Sequence, residues 1–358
     1  MTMASQKPLT DRKPGIVWKY AHYYPHSPAM PFRLPDPLNS TDCVTLDHPE
    51  LSPCILKRED TLPTGSHKER AACYQVSRRF EEGNLGCLIS SSGNAAIAVA
   101  EYARKANLPA FVFFSRSVQN SKLLAAAERE AHIFLSNKPI NYARYASRIF
   151  NLPNLRPSID PDAASGFMSL GFEIHDQFMT SAPAAVFMFT TSGATLLGIS
   201  AAFDLIDSSH SIWKTKPALH AAQSGKAQDL AAHFDARGTV NPKDAVAGIG
   251  GLSGSALVPE LLGRISLSGG SAWALTSAET ESAMQILQNA GIKSSPESAA
   301  ALAACRRWRQ HGGQGTALVI LSGRAYSKLK TPVTSAYIHT PESYRDLRQV
   351  ISGIMSHD

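Results

Sequence analysis

The chain has 358 residues, a net charge of +6, and a composition that is 44% hydrophobic and 18% charged. This composition is typical of a soluble globular protein, and the length exceeds that of one compact core, so two domains are expected. The Lys and Arg residues are scattered, which argues against nucleic acid as a partner. No apolar run approaches the roughly 18 residues that a membrane helix requires.

The five cysteines are odd in number and include no C-x-x-C pair, so neither a disulfide framework nor a metal site is expected. The first residues lack the apolar segment of a secretory signal. We therefore expect a cytoplasmic protein with reduced thiols and no membrane partner.

Residues 1 to about 45 are rich in proline and aromatic residues and are expected to wrap over the body of the fold. From Cys54 onward, short apolar runs alternate with amphipathic stretches. This alternation is typical of βαβ units, so the predicted fold class is α/β with largely parallel sheets covered by helices. The pattern predicts strands at 54–57, 85–90, 109–114, 184–189, 219–223 and 316–321, helices at 69–80, 95–105, 121–129, 196–206, 278–289 and 297–308, and a loop at 151–165.

A lysine lies at the entrance of the first predicted helix, in the segment Pro63-Thr-Gly-Ser-His-Lys-Glu-Arg70. The N-terminal end of a helix favours anions, so an ammonium group there is unfavourable. Condensation of the amine with an aldehyde removes the conflict, and burial lowers the pKa of the amine enough to allow it. Lys68 is therefore a candidate for covalent chemistry, and an ordinary surface lysine at a turn is the alternative.

The loop Ser90-Ser-Ser-Gly-Asn-Ala95 follows a predicted strand, at the edge where open α/β sheets bind ligands. Its hydroxyl and amide groups can grip a carboxylate. Asn94 can cap the next helix, and it can also donate a hydrogen bond to a phenolic oxygen.

A second loop, Thr190-Thr-Ser-Gly-Ala-Thr195, lies between a predicted strand and a predicted helix. Amides at the positive end of a helix form a phosphate site, although many such turns bind nothing. A third strand ends at Ser322-Gly323. This is either a plain turn or a place where the Ser322 hydroxyl can donate a hydrogen bond to a pyridine nitrogen.

Together these motifs resemble the tryptophan-synthase-β-like, fold type II family of pyridoxal phosphate enzymes. Leu56-Lys-Arg-Glu-Asp60 and the segment that ends at Arg70 are similar to the family's K-R-E-D…P-T-x-S-F-K-x-R. Ser91-Ser-Gly-Asn94 is similar to the asparagine loop of threonine synthases and serine/threonine dehydratases. Ser192-Gly-Ala-Thr195 and Ser322-Gly323 stand at the phosphate-loop and pyridine-nitrogen positions.

The resemblance implies that Lys68 holds pyridoxal 5'-phosphate as a Schiff base and is the catalytic base. The residues implied at the cofactor are Lys68, Asn94, Ser192, Gly193, Ala194, Thr195 and Ser322, and those implied at the substrate are Ser91, Ser92, Gly93 and His67. It further implies a homodimer of two-domain subunits. Residues 1–80 and 166–358 would form a large cofactor-binding domain and residues 81–165 a small mobile one, each with a mostly parallel twisted sheet covered by helices. The cofactor would lie in the cleft between them.

The chain departs from the family at several positions. His67 replaces a phenylalanine, the phosphate loop has the single glycine Gly193, and Ser295 stands where a glutamate is expected. The departures lie mostly at substrate-facing positions, which indicates a specialised amino-acid pathway.

The expected function is that of a lyase or synthase acting by β-elimination or β-replacement on an amino acid with a leaving group. One alternative is a threonine-synthase-like γ-elimination or γ-replacement on a phosphorylated amino acid. It requires a further anion pocket, to which His67 and Arg70 are available. The other alternative is a non-catalytic homologue that binds the cofactor and senses an amino acid.

Overall fold

The computed structural model describes residues 14–356 except 38, 92, 209–212, 227, 235–237, 245–256, 328, 330 and 332. The strands of these residues form two sheets, one of six and one of four strands. The strands are β1 Cys43–Leu46, β2 Cys54–Lys57, β3 Cys87–Ser90, β4 Ala110–Ser115, β5 His132–Ser136, β6 Ala185–Phe189, β7 Ala218–Ser224, β8 Ser271–Leu275, β9 Ala317–Ile320 and β10 Ile338–His339.

The larger sheet has the strand order β1-β2-β9-β6-β7-β8. Strand β1 is antiparallel to β2, and the other neighbouring pairs are parallel. Every residue of β6 and β9 is buried, which is why their sequences are uninterrupted apolar runs. Because these strands are parallel, Lys57, Phe189 and Ile320 end at the same edge of the sheet. The segments that follow them therefore meet.

The smaller sheet has the order β10-β5-β4-β3, with all pairs parallel. Its edge strand β10 comes from the C-terminal part of the chain. Leu347 and Ile351 of that part pack in one core cluster with Phe111 and Phe134. The C-terminal residues thus belong to the smaller sheet by contact.

Helices cover both sheets. They are α1 Lys68–Glu81, α2 Asn94–Lys105, α3 Asn120–Ala127, α4 Pro139–Phe150, α5 Asp162–Gln177, α6 Ala194–Ser208, α7 Asp229–Phe234, α8 Val258–Leu267, α9 Ser277–Asn289, α10 Pro296–Gln310 and α11 Tyr344–Met355. Among the helices of the described residues, none is both long enough and apolar enough to cross a bilayer.

Two glycines let α5 and α6 pack closely. A Cβ atom on Gly171 would lie 2.6 Å from Cβ of Ala202, and one on Gly198 would lie 2.4 Å from the carbonyl oxygen of Ala164. Neither position has room for a side chain. The close packing fixes the direction of α6, whose first turn faces the site described below.

A buried ion network holds α1 in place. Arg70 donates to both carboxylate oxygens of Glu59, each at 2.8 Å, and to Glu173 at 2.8 Å. Lys57 pairs with the same Glu173 and donates to the carbonyl of Thr41 at 2.7 Å. Although burial opposes ionisation, the charges of Arg70 and Lys57 lower the pKa of both glutamates. The network therefore ties the first turn of α1 to β2 and α5.

The predicted α/β fold class is confirmed. The predicted elements are present, and most differ from the structure by a few residues at their ends. The elements that were not predicted are strands β1, β5, β8 and β10 and helices α4, α7, α8 and α11, and α5 begins inside the segment predicted as a loop. The division into 1–80 with 166–358 and 81–165 stays a proposal, and β10 and α11 pack on the smaller sheet.

Candidate active site

Lys68 is the first residue of α1 and follows a tight loop. Glu69 closes the loop, because its carboxylate accepts hydrogen bonds from the amide and the hydroxyl of Thr64 at 2.8 and 2.9 Å. Gly65 has a φ of +83°, and a Cβ atom there would lie 2.4 Å from Nε of Arg324. The loop therefore requires glycine at this position. It presents Lys68 at the helix entrance.

The surroundings of Lys68 favour its neutral form. Its Nζ lies 5.0 Å from the centroid of the Phe167 ring. Burial lowers the pKa of Lys68 from 10.5 to about 8, and the carboxylate of Glu297 acts in the opposite direction. Near neutral pH the amine is thus uncharged far more often than that of an exposed lysine. The neutral amine is the form that condenses with an aldehyde or accepts a proton.

Asn94 does not cap a helix, so this prediction is wrong. Helix α2 begins at Asn94 itself, after Gly93, with no side-chain cap. The reason is that the Asn94 amide turns toward Gly323, where a Cβ atom would lie 2.8 Å from Nδ2. Its Oδ1 is buried and has no partner among the described residues. Rotating the Asn94 side-chain amide by 180° would place its NH2 group where Oδ1 now lies.

The serine loop before α2 is only partly described. Ser91 lines the cavity, and its hydroxyl accepts from the amide of Gly93 at 3.2 Å. Ser92 lies outside the described residues. Gly93 lies beside the cavity, and a Cβ atom there would lie 2.3 Å from Cδ of Lys122. The missing side chain at Gly93 therefore lets Lys122 reach the cavity.

The loop from β6 to α6 forms the opposite wall. Gly193 has a φ of +86°, a conformation that favours glycine. Ser192 lines the cavity, and its hydroxyl accepts from the amide of Ala194 at 3.4 Å. Because α6 begins at Ala194, the amides of its first turn, including that of Thr195, have no acceptor inside the helix. Such a helix end attracts anions.

The segment after β9 is held from two sides. The carbonyl of Ser322 accepts from the amide of His67 at 3.2 Å. The carbonyl of Gly323 accepts from the hydroxyls of Ser294 and Ser298 at 2.9 and 3.1 Å. These bonds place the buried Ser322 on the cavity wall.

Ser295, where the resemblance implies a glutamate, has a structural role. It is the N-cap of α10, and its hydroxyl accepts from the amide of Ser298 at 3.3 Å. Two residues further on, Glu297 lines the cavity, and its charge acts on Lys68. The cavity thus has a carboxylate although none stands at position 295.

His67 lies between the strand end and α6 and is 5% exposed. Its Nδ1 is 2.8 Å from the carbonyl oxygen of Ser322, and its Nε2 is 3.2 Å from Oγ1 of Thr195. Burial, and next the charge of Lys68, lower the pKa of His67 well below 6.5. The ring is therefore neutral at neutral pH. Its predicted substrate contact stays a prediction.

These elements surround a cavity of about 360 Å³ between the two sheets, a volume within the range of small-molecule sites. Most of the predicted site residues meet there. Those that line it are His67, Lys68, Ser91, Asn94, Ser192 and Ser322. Gly193, Ala194 and Thr195 follow Ser192 in the chain, and α6 begins at Ala194.

Two cations that line the cavity were not predicted. Lys122 of α3 and Arg156 lie in its wall, and neither has a carboxylate partner among the described residues. Arg70, considered for an anion pocket, is instead fully buried in the ion network. Both unpredicted residues are distant from Lys68 in sequence. Arg156 lies in the segment 151–165 that was predicted as a loop, and no sequence motif pointed to either cation.

A family model described as "Pyridoxal-phosphate dependent enzyme" matches residues 36–323. The match covers the larger sheet, strands β3, β4 and β5 of the smaller sheet, and every residue that lines the cavity. The chain belongs to this pyridoxal-phosphate-dependent enzyme family. The family that the sequence motifs predicted is confirmed.

The chain is similar to curated relatives over part of their length. A threonine dehydratase-like protein of Alternaria alternata is 27% identical over 151 residues, which are 40% of this chain and 37% of the relative. A threonine synthase of Methanosarcina acetivorans is 28% identical over 173 residues, 47% of this chain and 42% of the relative. The chain thus spans less than half the length of these relatives.

Solved structures of pyridoxal-phosphate-dependent enzymes share the fold. The structure of maize serine racemase superposes with a TM-score of 0.67 at 19% identity, and covers 81% of this chain and 90% of its own. The similarity confirms the fold type. The chain is thus a pyridoxal-phosphate-dependent enzyme that is similar in sequence to a threonine synthase and a threonine dehydratase-like protein and shares its fold with a serine racemase.

The residues around the cavity fit pyridoxal phosphate. Lys68 has an amine of lowered pKa, and the first turn of α6 is suited to a phosphate group. The buried Oδ1 of Asn94 has no partner in the described part of the chain, so this amide is available to a ligand. These three groups and the Ser322 hydroxyl are the kinds of group that the family resemblance implies around the cofactor. Their individual roles stay predictions.

Proposed function

We propose that this enzyme catalyses β-elimination or β-replacement on an amino acid with a leaving group, with pyridoxal phosphate held at Lys68. The proposal depends on one observation. A lysine whose pKa is lowered to about 8 shares a cavity with a serine, not a carboxylate, at the end of β9. Pyridoxal phosphate, when bound, supplies an electron sink next to the substrate α carbon.

In this proposal Lys68 holds the cofactor, and its free neutral amine accepts the α proton of the substrate. The serine loop before α2 binds the substrate carboxylate. The backbone of Ser192–Thr195 binds the phosphate group. Closure of residues 81–165 over the cavity would exclude water. The family membership favours an enzyme over a non-catalytic amino-acid sensor.

Ser322 is expected to direct the reaction toward elimination or replacement. A hydroxyl cannot readily protonate the nitrogen of the cofactor ring, so the ring withdraws electrons less strongly than it would beside a carboxylic acid. We expect keto acids or replacement products to exceed racemised and transaminated products by tenfold or more, about 1.4 kcal/mol in barrier. The measurement is chromatography of all products from a set of amino acids with β leaving groups.

Ser322→Asp should raise the racemised and transaminated share, and Ser322→Ala is the matched control that removes the hydroxyl without adding acid. A wild-type enzyme that chiefly transaminates or racemises, with Ser322→Ala unchanged, would contradict this role and make Ser322 an ordinary turn serine.

Cofactor affinity should depend on the backbone at Gly193 more than on one side chain. Thr195→Ala is expected to weaken binding by about 1 to 2 kcal/mol, the scale of one hydrogen bond to a charged group. Gly193→Val should weaken it more, because its φ is +86° and a Cβ atom would lie 3.0 Å from Leu261. Equilibrium titration with pyridoxal phosphate measures both.

The matched control is Gly269→Val. Gly269 also has a positive φ, +72°, but lies after α8 with open space around it. It should keep the wild-type affinity. Wild-type affinity in both Thr195→Ala and Gly193→Val would mean that the phosphate binds elsewhere.

A second candidate function is γ-replacement on a phosphorylated amino acid. It is supported by Lys122 and Arg156, cavity cations without a carboxylate partner among the described residues. We expect Arg156→Gln to raise KM for an anionic amino acid by about tenfold or more, with little change for an uncharged one. Arg144→Gln is the control, since Arg144 lies near Arg156 but is exposed. Equal effects on both substrates would count against an anion subsite.

A further inference from the structure

The contacts of His67 define where its proton lies. A carbonyl oxygen only accepts hydrogen bonds, so Nδ1, at 2.8 Å from the Ser322 carbonyl, carries a proton. In the neutral ring Nε2 is then bare and accepts the hydroxyl proton of Thr195 at 3.2 Å. The Thr195 hydroxyl therefore points its proton toward His67. In that state it cannot donate to an anion at the start of α6.

A phosphate group bound at this helix end would favour the protonated His67 ring over the neutral one. Its negative charge stabilises a positive charge nearby, in a site where water is largely excluded. A protonated Nε2 donates to Oγ1 of Thr195, and the threonine proton is released toward the phosphate. The two hydrogen bonds of the chain from His67 through Thr195 to the anion then run in one direction.

We propose that His67 is a positioning residue that takes up a proton when a phosphate group binds at the start of α6, and so turns the Thr195 hydroxyl toward that group. The inference rests on the proposed cofactor site. It deepens that proposal, because it adds that the protein gains a positive charge at His67 when the phosphate binds.

The groups that face His67 make its free state neutral. Phe167 of α5 stacks at 5.3 Å between ring centroids and carries no charge. Burial lowers the pKa of His67, and so do the cations Lys68 and Arg70, while the Ser322 carbonyl raises it. The charge of Arg70 is balanced by its glutamate partners, and Glu297 of α10 faces Lys68. A bound dianion is thus the added charge that favours the protonated ring.

The affinity for the anion should depend on pH through His67. The pKa of His67 is low in the free protein and is raised by the bound anion. The stabilising contribution to anion binding is therefore fully present below the free-state pKa and is lost as pH rises through the bound-state pKa. A non-titrating side chain at position 67 removes this contribution.

Calorimetric titration of the apo protein with inorganic phosphate and with pyridoxal phosphate tests the inference. Runs in two buffers of different ionisation enthalpy, between about pH 6 and pH 8, count the protons taken up. His67→Gln keeps hydrogen-bonding groups but cannot titrate, and His67→Phe is the second variant if the first fails to fold. His220→Gln is the control, since His220 is equally buried but bonds to Trp273 away from the cavity.

The expected result is that wild type and His220→Gln take up on the order of one proton more per bound phosphate than the His67 variants. Their affinity should also fall more steeply with rising pH. Equal proton uptake in wild type and both His67 variants, with binding intact, overturns the role of His67 and leaves the cofactor site standing. If neither ligand binds the wild type, both the cofactor site and this inference are overturned.

Discussion

Replacing Lys68 with alanine is expected to lower kcat by roughly 10³-fold or more, because the variant loses both the attachment point of the cofactor and the base for the α proton. Lys68→Arg should not restore activity, since a guanidinium stays charged and cannot condense with an aldehyde. Steady-state assays with the best substrate of the product screen measure the effect. Lys216→Ala is the control, because Lys216 pairs with Asp204 on the surface of α6.

The pH dependence of cofactor capture provides a second measure of Lys68. Its pKa is lowered to about 8, so the neutral amine predominates above that pH. The rate at which the apo protein captures pyridoxal phosphate should rise with pH and level off above about 8. An inflection near the pKa of an exposed lysine, or substantial activity in Lys68→Ala, would be incompatible with this environment.

Glu173→Ala is expected to cost roughly 3 to 5 kcal/mol in the free energy of unfolding, because it leaves the buried Lys57 without a carboxylate partner and leaves Arg70 with Glu59 alone. Urea denaturation followed by circular dichroism measures the loss. The neighbouring Asp176→Ala is the matched control. Asp176 pairs with the exposed Lys19 and accepts a hydrogen bond from the Tyr20 hydroxyl at 2.7 Å, so Asp176→Ala should cost about 1 to 2 kcal/mol, less than Glu173→Ala.

The same network predicts how wild-type stability changes with pH. The pKa values of Glu59 and Glu173 are lowered in the folded protein. Their contribution is present above the unfolded-state pKa of a carboxyl and is lost as pH falls through the lower folded-state values. Glu173→Ala should therefore lose less stability than the wild type on acidification. Equal stability losses in Glu173→Ala and Asp176→Ala at neutral pH would argue against this role of the network.

Local sequence patterns were sufficient to predict much of the fold. The fully buried strands β6 and β9 read as continuous apolar runs, so both were predicted. Strand β10 has two residues and is defined by its pairing with β5 alone, so no periodicity could reveal it. The sequence His132–Ser136 has a short apolar centre between polar residues, and its pairing with β4 decides its conformation.

Site residues could be predicted where their position in a short local motif is enough to indicate their chemistry. Lys68 at a helix entrance and Ser322 at a strand end are of this kind. Arg70 and Asn94 were less predictable, because their orientation depends on Glu173 and Gly323, which are distant in sequence. Cavity residues such as Lys122 come from the side of the smaller sheet, where α3 packs against β5. They reach Lys68 only through the packing of the two sheets.

Borohydride reduction of the yellow holoprotein, followed by peptide mapping with mass spectrometry, tests the central claim most directly. Reduction fixes an aldehyde-derived group on the amine that holds it, and the lowered pKa of Lys68 makes this amine the expected one. The account predicts a pyridoxyl group on the peptide that contains Lys68, and no label there in Lys68→Ala. Label on another lysine, or on none, would contradict it.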